Sequence, residues 1–151
     1  MKRTVVAAAA VIALSAVAGA AMAQVKPEVL VKQRQAGMTL ISKYFGPLGG
    51  MAQGKVPFNA QLVQRNADYL AALSQMPWDG FDPSTADVKS RAKPELFKEM
   101  DKVKELIDRF QGEVKKLQTA AKGGDEAAIK SQIAAVGKAC GACHDRYREK
   151  Q

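Results

Sequence analysis

The sequence is poor in the side chains that most often carry catalysis and metal binding. Its 151 residues include one histidine, one tryptophan and two cysteines, and aromatic residues make up 6%. A single histidine excludes any site in which two imidazoles of one chain share a metal or a proton. Both cysteines and the histidine occur within five consecutive residues, 140–144, so the available chemistry is concentrated there.

Beyond its start, the chain lacks a long apolar run. Residues 1–3 are M-K-R, residues 4–17 are nearly all apolar, and residues 21–23 read A-M-A. This order is typical of a secretory signal peptide with its cleavage site. The run is shorter than the roughly 20 apolar residues that span a bilayer. We therefore predict a signal peptide over 1–23, a single domain over 24–151, and no membrane association after cleavage.

The chain also lacks a block of clustered basic residues. Its formal charge is +8, and it falls to +6 when Lys2 and Arg3 leave with the predicted signal peptide. Basic residues are spread along the sequence without interleaved aromatic residues, which argues against nucleic-acid binding. A diffuse positive surface is compatible with steering of an acidic redox partner or with solubility alone.

The motif Cys140-Gly141-Ala142-Cys143-His144 is the attachment signature of c-type haem. On a helix, spacings of three and four residues bring both sulfurs and the imidazole to one side. The alternative is a thiol redox pair, which normally opens a helix after a strand. No strand pattern precedes this motif. We therefore predict one covalently attached haem c, with thioether bonds to Cys140 and Cys143 and with His144 as an iron ligand.

Four segments show helical periodicity of apolar residues. The first begins at Pro27 and runs to the mid-40s, or with a bend at Gly46-Pro47 to about residue 53. The second lies between Asn59 and Ser74, the third runs from Pro94 to Gly123, and the fourth starts after Asp125. We predict an all-α, antiparallel up-down-up-down four-helix bundle. Both cysteines fall on the apolar stripe of the fourth helix, so the haem should enter the bundle interior.

The segment between the second and third helices is long for a compact domain, at about residues 75–93. It carries Trp78 and Phe81. Haem is the candidate surface against which these rings would pack. Ordinary core aromatic residues would give the same sequence pattern.

Two arginines stand at unusual positions. Arg34 lies on the apolar stripe of the first helix, where a buried cation needs an anion. Haem propionates would supply one, and the alternative is an arginine that extends to solvent at the bundle end. Arg148 follows His144 by four residues and so shares its face. It contacts a propionate, limits access beside His144, or simply stabilises the helix C-terminus.

The sixth position of the iron decides the function. Met38 follows Arg34 by one turn on the same stripe and faces the interior. As a ligand it would give a six-coordinate electron carrier, and as a covering side chain it would leave the site open. Ordinary core packing is the third interpretation of Met38. Peroxidase chemistry would need a distal acid or base, and this stripe has none, so we expect no enzyme.

These residues resemble cytochrome c′, the class II c-type cytochromes. The resemblance covers essentially the whole chain after the predicted signal peptide. It rests on K-Q-R-Q at 32–35, F-G at 45–46, G-K-V-P-F at 54–58, L-S-Q-M-P-W at 73–78 and G-K-A-C-G-A-C-H-D-R-Y-R at 137–148.

The resemblance implies a periplasmic homodimer, paired through the first two helices, that binds nitric oxide and carbon monoxide and takes part in electron transfer with periplasmic redox partners. It implies five-coordinate, high-spin iron with His144 as the only protein ligand. Arg34 and Gln35 match residues near the propionates, Met38 matches the distal cover, and Arg148 matches the proximal arginine. The family also has a low-spin branch in which a methionine of the first helix ligates the iron, so the role of Met38 stays open.

Overall fold

The computed structural model describes residues 25–150, and the predicted signal peptide lies outside this range. The chain forms five α-helices: α1 (Pro27–Ala52), α2 (Ala60–Leu73), α3 (Pro94–Lys98), α4 (Met100–Gly123) and α5 (Glu126–Tyr147). Two short 3₁₀ turns, Trp78–Phe81 and Pro83–Thr85, lie between α2 and α3. The four long helices pack as an antiparallel four-helix bundle, which confirms the predicted fold. Within residues 25–150, none of the helices combines the length and the apolar character needed to cross a membrane.

Side-chain caps and a left-handed glycine define the helix ends as predicted. The Asn59 side chain accepts a hydrogen bond from the amide of Leu62 at 2.9 Å and starts α2. The Asp125 side chain accepts one from the amide of Ala128 at 2.9 Å and starts α5. Gly124 ends α4 with φ +77°, a conformation that other residues adopt at a cost. These two residues, Gly124 and Asp125, reverse the chain between α4 and α5.

The first helix continues through its internal proline. Gly46 and Pro47 are exposed, so the missing amide donor of Pro47 faces solvent. The residues that follow, Leu48 and Met51, are buried in the main core and fix the last turns of α1. Packing therefore prevails over the local tendency to end the helix, and α1 follows the longer of the two expected courses.

The third predicted helix is interrupted, which corrects the expectation of one helix from Pro94 to Gly123. Glu99 has φ −122° and ψ 39°, and it separates the short α3 from α4. Its carboxylate is engaged by side chains of α5: it accepts a hydrogen bond from Tyr147 at 2.5 Å and one from Arg146 at 2.7 Å. A turn that presents Glu99 to α5 takes the place of one regular turn of helix.

The long segment 75–93 packs closely against the bundle, as its aromatic residues suggested. The Trp78 indole donates a hydrogen bond to the Ser74 carbonyl at 2.6 Å and stacks on Phe81 at 6.1 Å between ring centroids. Trp78 also meets Phe110 of α4 edge to face at 6.0 Å. Near its end the segment pairs with the end of α5, because Ala92 and Arg148 form an antiparallel bridge. The segment therefore closes one end of the bundle.

The core has two parts. The larger cluster fills the middle of the bundle, and the smaller one lies at the end closed by segment 75–93, around buried Leu96, Val103 and Tyr147. Cys140 packs against the larger cluster and Cys143 against the smaller one. The haem-attachment motif thus lies where the two clusters meet.

Candidate functional site

A cavity of about 520 Å³ opens at this end of the bundle, between α1, α4, α5 and segment 75–93. Its volume is in the range of roughly 300–1,000 Å³ typical of cofactor and ligand pockets. All nine residues singled out in the sequence line it: Arg34, Gln35, Met38, Trp78, Phe81, Cys140, Cys143, His144 and Arg148. Residues of α1 and α5 that are more than 100 positions apart in the sequence thus line the same cavity.

The two cysteines form the α5 wall of this cavity. Both are free thiols and both are half-buried. Burial raises the pKa of Cys140 to about 11 and also raises the pKa of Cys143. At neutral pH both are therefore protonated, and in thioether formation each S–H bond would be replaced by an S–C bond while its hydrogen passes to the other carbon of the vinyl group.

His144 lies one turn after Cys140 on the same wall. Burial lowers its pKa, the positive charges of Arg148 and Arg91 lower it further, and Asp145 opposes them. The neutral imidazole is therefore favoured, and this is the form that ligates a metal.

The α1 wall presents different chemistry. Met38, Ile41 and Phe45 line the cavity from one face of α1, with spacings of three and four residues. Gln35 and Ser42 also line it and are exposed, so the wall is apolar inside and polar at its edge. Among these residues the Met38 thioether is the one with metal-ligand chemistry.

Arg34 is buried, with 4% of its surface exposed. Its guanidinium donates hydrogen bonds to the Gly80 carbonyl at 2.6 Å, to Thr85 Oγ1 at 3.1 Å and to Ser90 Oγ at 2.8 Å. These acceptors are neutral and all belong to segment 75–93. The side chain therefore does not extend to solvent, and burial lowers its pKa. Its positive charge stays next to the cavity without a carboxylate partner among these contacts.

The guanidinium of Arg34 also makes cation–π contacts with two aromatic rings. Its central carbon lies 4.9 Å from the centre of the Phe81 ring and 5.9 Å from that of Phe97. Phe81 and Trp78, stacked on each other, form the cavity wall on this side. Arg91 and Arg148 are exposed and stand at the rim beside His144.

Several residues of the site were not singled out in the sequence. Phe45, Arg91 and Tyr147 line the cavity, and Thr85 and Ser90 bind the guanidinium of Arg34. Phe45 and Tyr147 lie on the apolar stripes of α1 and α5, so periodicity predicts that they face the interior but not that they line the site. Arg91, Thr85 and Ser90 lie in irregular chain, where no periodic pattern indicates which side faces the interior.

The described residues fit a covalently attached haem. Two thiols at the correct spacing, one neutral imidazole and an apolar cavity of suitable volume occur together. A buried arginine stands beside the cavity, where an anionic substituent would be stabilised. Cys140 and Cys143 would hold the group, and His144 would ligate its iron.

Comparison with known proteins agrees with this arrangement. The family model described as Cytochrome C' matches residues 29–148. Cytochrome c' of Rubrivivax gelatinosus is 38% identical over 126 residues, which cover 83% of this chain and 98% of the relative. Cytochrome c prime from Shewanella frigidimarina superposes with a TM-score of 0.79 at 34% identity and covers 82% of this chain and 97% of its own.

A third similar protein is a ferrous variant of cytochrome c prime from Alcaligenes xylosoxidans with bound NO. It superposes with a TM-score of 0.76 at 35% identity, over 83% of this chain and 98% of its own. The sequence match, the bundle and the cavity with its two thiols and one imidazole agree, and this chain belongs to the cytochrome c′ family of c-type haem proteins, which carry covalently attached haem c.

Proposed function

We propose that this protein is a gas-binding cytochrome in which His144 is the only side chain that ligates the iron. The observation that carries the proposal is the lining of the cavity. Within residues 25–150 that lining contains no lysine, no carboxylate and no second imidazole, and the inner α1 wall is apolar. A haem iron held by His144 would supply a coordination position for a neutral diatomic ligand such as NO or CO.

The other side chains of the cavity determine which ligands can bind at that position. Met38, Ile41 and Phe45 cannot hydrogen-bond an anion, so desolvation disfavours charged ligands there. No carboxylate or imidazole on the α1 wall can transfer a proton, so the wall offers no acid–base catalysis. The NO-bound relative from Alcaligenes supports extending NO binding to this chain. Electron transfer by the same haem is compatible with this site.

Met38 carries the second candidate function. It lines the cavity from α1, and a thioether ligand there would make the protein a six-coordinate, low-spin electron carrier. The two functions require opposite roles of one side chain: a cover that leaves the iron accessible, or a ligand that occupies it.

The test is the optical spectrum of the ferric and ferrous protein, with and without Met38→Leu. We expect a high-spin spectrum that the substitution leaves high-spin, and a shift on addition of CO or NO. A low-spin spectrum that is lost in Met38→Leu would establish the electron carrier instead. Met76→Leu is the matched control, because Met76 is 62% exposed and lies outside the cavity.

We also propose a homodimer that pairs through α1 and α2. Leu40 and Tyr69 are exposed apolar residues on these helices, at 40% and 45%. Tyr69 packs edge to face on Tyr44 at 4.9 Å between ring centroids, and Tyr44 follows Leu40 by one turn. The three side chains thus lie on neighbouring surfaces of α1 and α2, and exposed apolar side chains grouped in this way are typical of an interface.

Sedimentation of the haem-loaded protein tests the dimer. We expect a dimer that Tyr69→Glu converts to a monomer. Val56→Glu is the control, because Val56 is similarly exposed at 44% but lies in the α1–α2 connection. A monomeric parent protein would contradict the proposal.

Location in the periplasm follows from the predicted signal peptide over 1–23 and is part of the same proposal. There the protein would meet soluble redox partners, and its exposed basic residues favour acidic ones. Sequencing the N-terminus of the exported protein should give Gln24. An N-terminus at Met1 would contradict export by this route.

A further inference from the structure

A second cavity, of about 380 Å³, lies between α1 and α5 and is open to solvent. Most of the residues that line it are small or apolar. The full lining comprises Phe45, Gly49, Ala52, Gln53, Lys130, Ile133, Ala134, Gly137 and Lys138.

Phe45 belongs to the walls of both cavities. It follows Met38 by seven residues on α1, so it lies two turns away on the same face. The second cavity therefore adjoins the haem cavity at Phe45, on the side of α1. Within residues 25–150, Phe45 is the one residue common to both linings.

Gly137 of α5 faces this ring. A Cβ added at Gly137 would lie 3.6 Å from Phe45 Cζ and 3.9 Å from Cε1, which is ordinary van der Waals contact. With glycine there, the ring has free space beside it on the α5 side. A larger side chain at position 137 would fill that space and hold the ring in place.

The chemistry of the second cavity suits a small neutral molecule. Its more buried lining consists of Ile133 and the Phe45 ring, which cannot hydrogen-bond a polar ligand, whereas Gln53, Ala134 and Lys138 line it from exposed positions. Lys130 at its edge is held elsewhere, with an ion pair to Glu126 at 2.6 Å and its ammonium 5.8 Å from the centre of the Phe58 ring. The apolar part of this lining favours a small apolar solute such as xenon over an ion, because an ion there would lose solvation without gaining a hydrogen-bond partner.

We propose that the α1–α5 cavity is a docking site and entry route for diatomic gases, and that Phe45 is the partition through which they pass to the haem cavity. The inference rests on the proposed gas-binding function and adds the path by which the ligand arrives. A residue on the path changes the rates of entry and exit by the same factor. The dissociation constant of the gas therefore stays constant, because the bound state is unchanged.

Flash photolysis of the CO complex of the haem-loaded protein measures the association rate, and displacement of bound CO by NO measures the dissociation rate. In Gly137→Leu we expect association and dissociation to slow several-fold together, with an unchanged dissociation constant. Gly112→Leu is the matched control, because Gly112 is an exposed helix glycine of α4 with no atom within 4 Å of an added Cβ. Ala134→Leu fills the same cavity from an exposed position and replaces Gly137→Leu if that variant does not fold.

Xenon provides a readout that does not depend on the iron. We expect xenon in the α1–α5 cavity of the parent protein and of Gly112→Leu, and its loss from Gly137→Leu. Absence of xenon from this cavity in the parent protein would overturn the proposal. Unchanged CO rates in both cavity-filling variants would also overturn it.

The outcome for the route can be separated from the outcome for the proposed function. A high-spin protein that binds CO, with rates unaffected by Gly137→Leu and Ala134→Leu, would remove the route and leave gas binding intact. A low-spin protein that does not bind CO would remove the proposed function, and with it the route.

Discussion

The two walls of the haem cavity are built in different ways. The α5 wall takes Cys140, Cys143 and His144 from five consecutive residues of one helix. The α1 wall depends on partners far away in the sequence. Arg34, for example, is held by acceptors 46, 51 and 56 residues later. Attachment chemistry is thus local, whereas the shape and charge around the ligand position depend on the tertiary fold.

Because of this difference, the two walls should control different properties of the protein. Changes in the α5 motif should abolish covalent attachment with modest effects elsewhere. Changes in the α1 wall should leave the haem attached and alter stability, spin state or gas rates. The following variants test that separation, beginning with the largest expected effect.

Replacement of both thiols should remove the covalent cofactor. In Cys140→Ala/Cys143→Ala we expect no haem on the polypeptide after acid denaturation, because no thioether bond can form. Haem staining of a denaturing gel and the mass of the intact chain measure this. Ser131→Ala, an exposed change on α5, should keep full attachment. Covalent haem in the double variant would show that attachment does not use these sulfurs.

Removal of the Arg34 guanidinium should strongly destabilise the fold without releasing the haem. In Arg34→Leu three acceptors of segment 75–93 lose their donor, and we expect a loss of about 3 kcal/mol in the free energy of unfolding. Denaturant titration of the haem-loaded protein measures it. Arg65→Leu changes an exposed arginine of α2 whose hydrogen bonds go only to its neighbour Asn66, and it should cost far less. Equal losses in the two variants would contradict the central role of Arg34.

Glu99 should give the stability a pH dependence at the acid end. The hydrogen bond from Tyr147, with smaller contributions from Lys102 and Arg146, lowers the pKa of Glu99 from its ordinary value of 4.5 to about 2. A depressed folded-state pKa contributes stability above the unfolded-state pKa, and this contribution is lost as the pH falls toward the folded-state value. Between about pH 4.5 and 2 the melting temperature should therefore fall more steeply in the parent protein than in Glu99→Gln.

Melting curves across this range provide the test. Glu105→Gln removes an exposed carboxylate of α4 and controls for the change in net charge. Parallel curves for the parent protein and Glu99→Gln would show that the Glu99–Tyr147 bond does not link α5 to the α3–α4 junction in solution.

The smallest effect is expected at the start of α5, far from the attachment motif. Asp125→Ala removes the cap on the Ala128 amide and should cost about 1 kcal/mol. Because the two ends of α5 are separated by its whole length, the haem spectrum should not change. Denaturation and optical spectra of the same sample measure both quantities. A spectral change would show that the two ends of α5 are coupled.

The sequence predicts those features that depend on neighbouring residues. Asn59 and Asp125 cap their helices within three residues, and the motif at 140–144 needs only one helical turn to assemble. Amphipathic spacing then places α1, α2, α4 and α5, because each must bury one face. The bundle and its haem-attachment wall follow from these local rules.

Features that depend on distant partners could not be predicted. The break at Glu99 is tied to Arg146 and Tyr147, which lie 47 and 48 residues away. The neutral acceptors of Arg34 come from irregular chain, so its sequence position alone suggested an anion. Phe45 and Gly137 face each other across the α1–α5 interface. The sequence pattern of either helix alone does not predict a cavity between them.

Gly80 fixes the distance between segment 75–93 and α1, two of the elements that enclose the haem cavity. A Cβ at this position would lie 2.5 Å from Arg34 Cβ and 2.7 Å from the Leu30 carbonyl oxygen. The main chain of segment 75–93 therefore packs directly on α1 at Gly80, with no room for a side chain between them. Redesign of the pocket for larger or smaller ligands should accordingly start from Met38 and Phe45, whose side chains can be exchanged without moving either element.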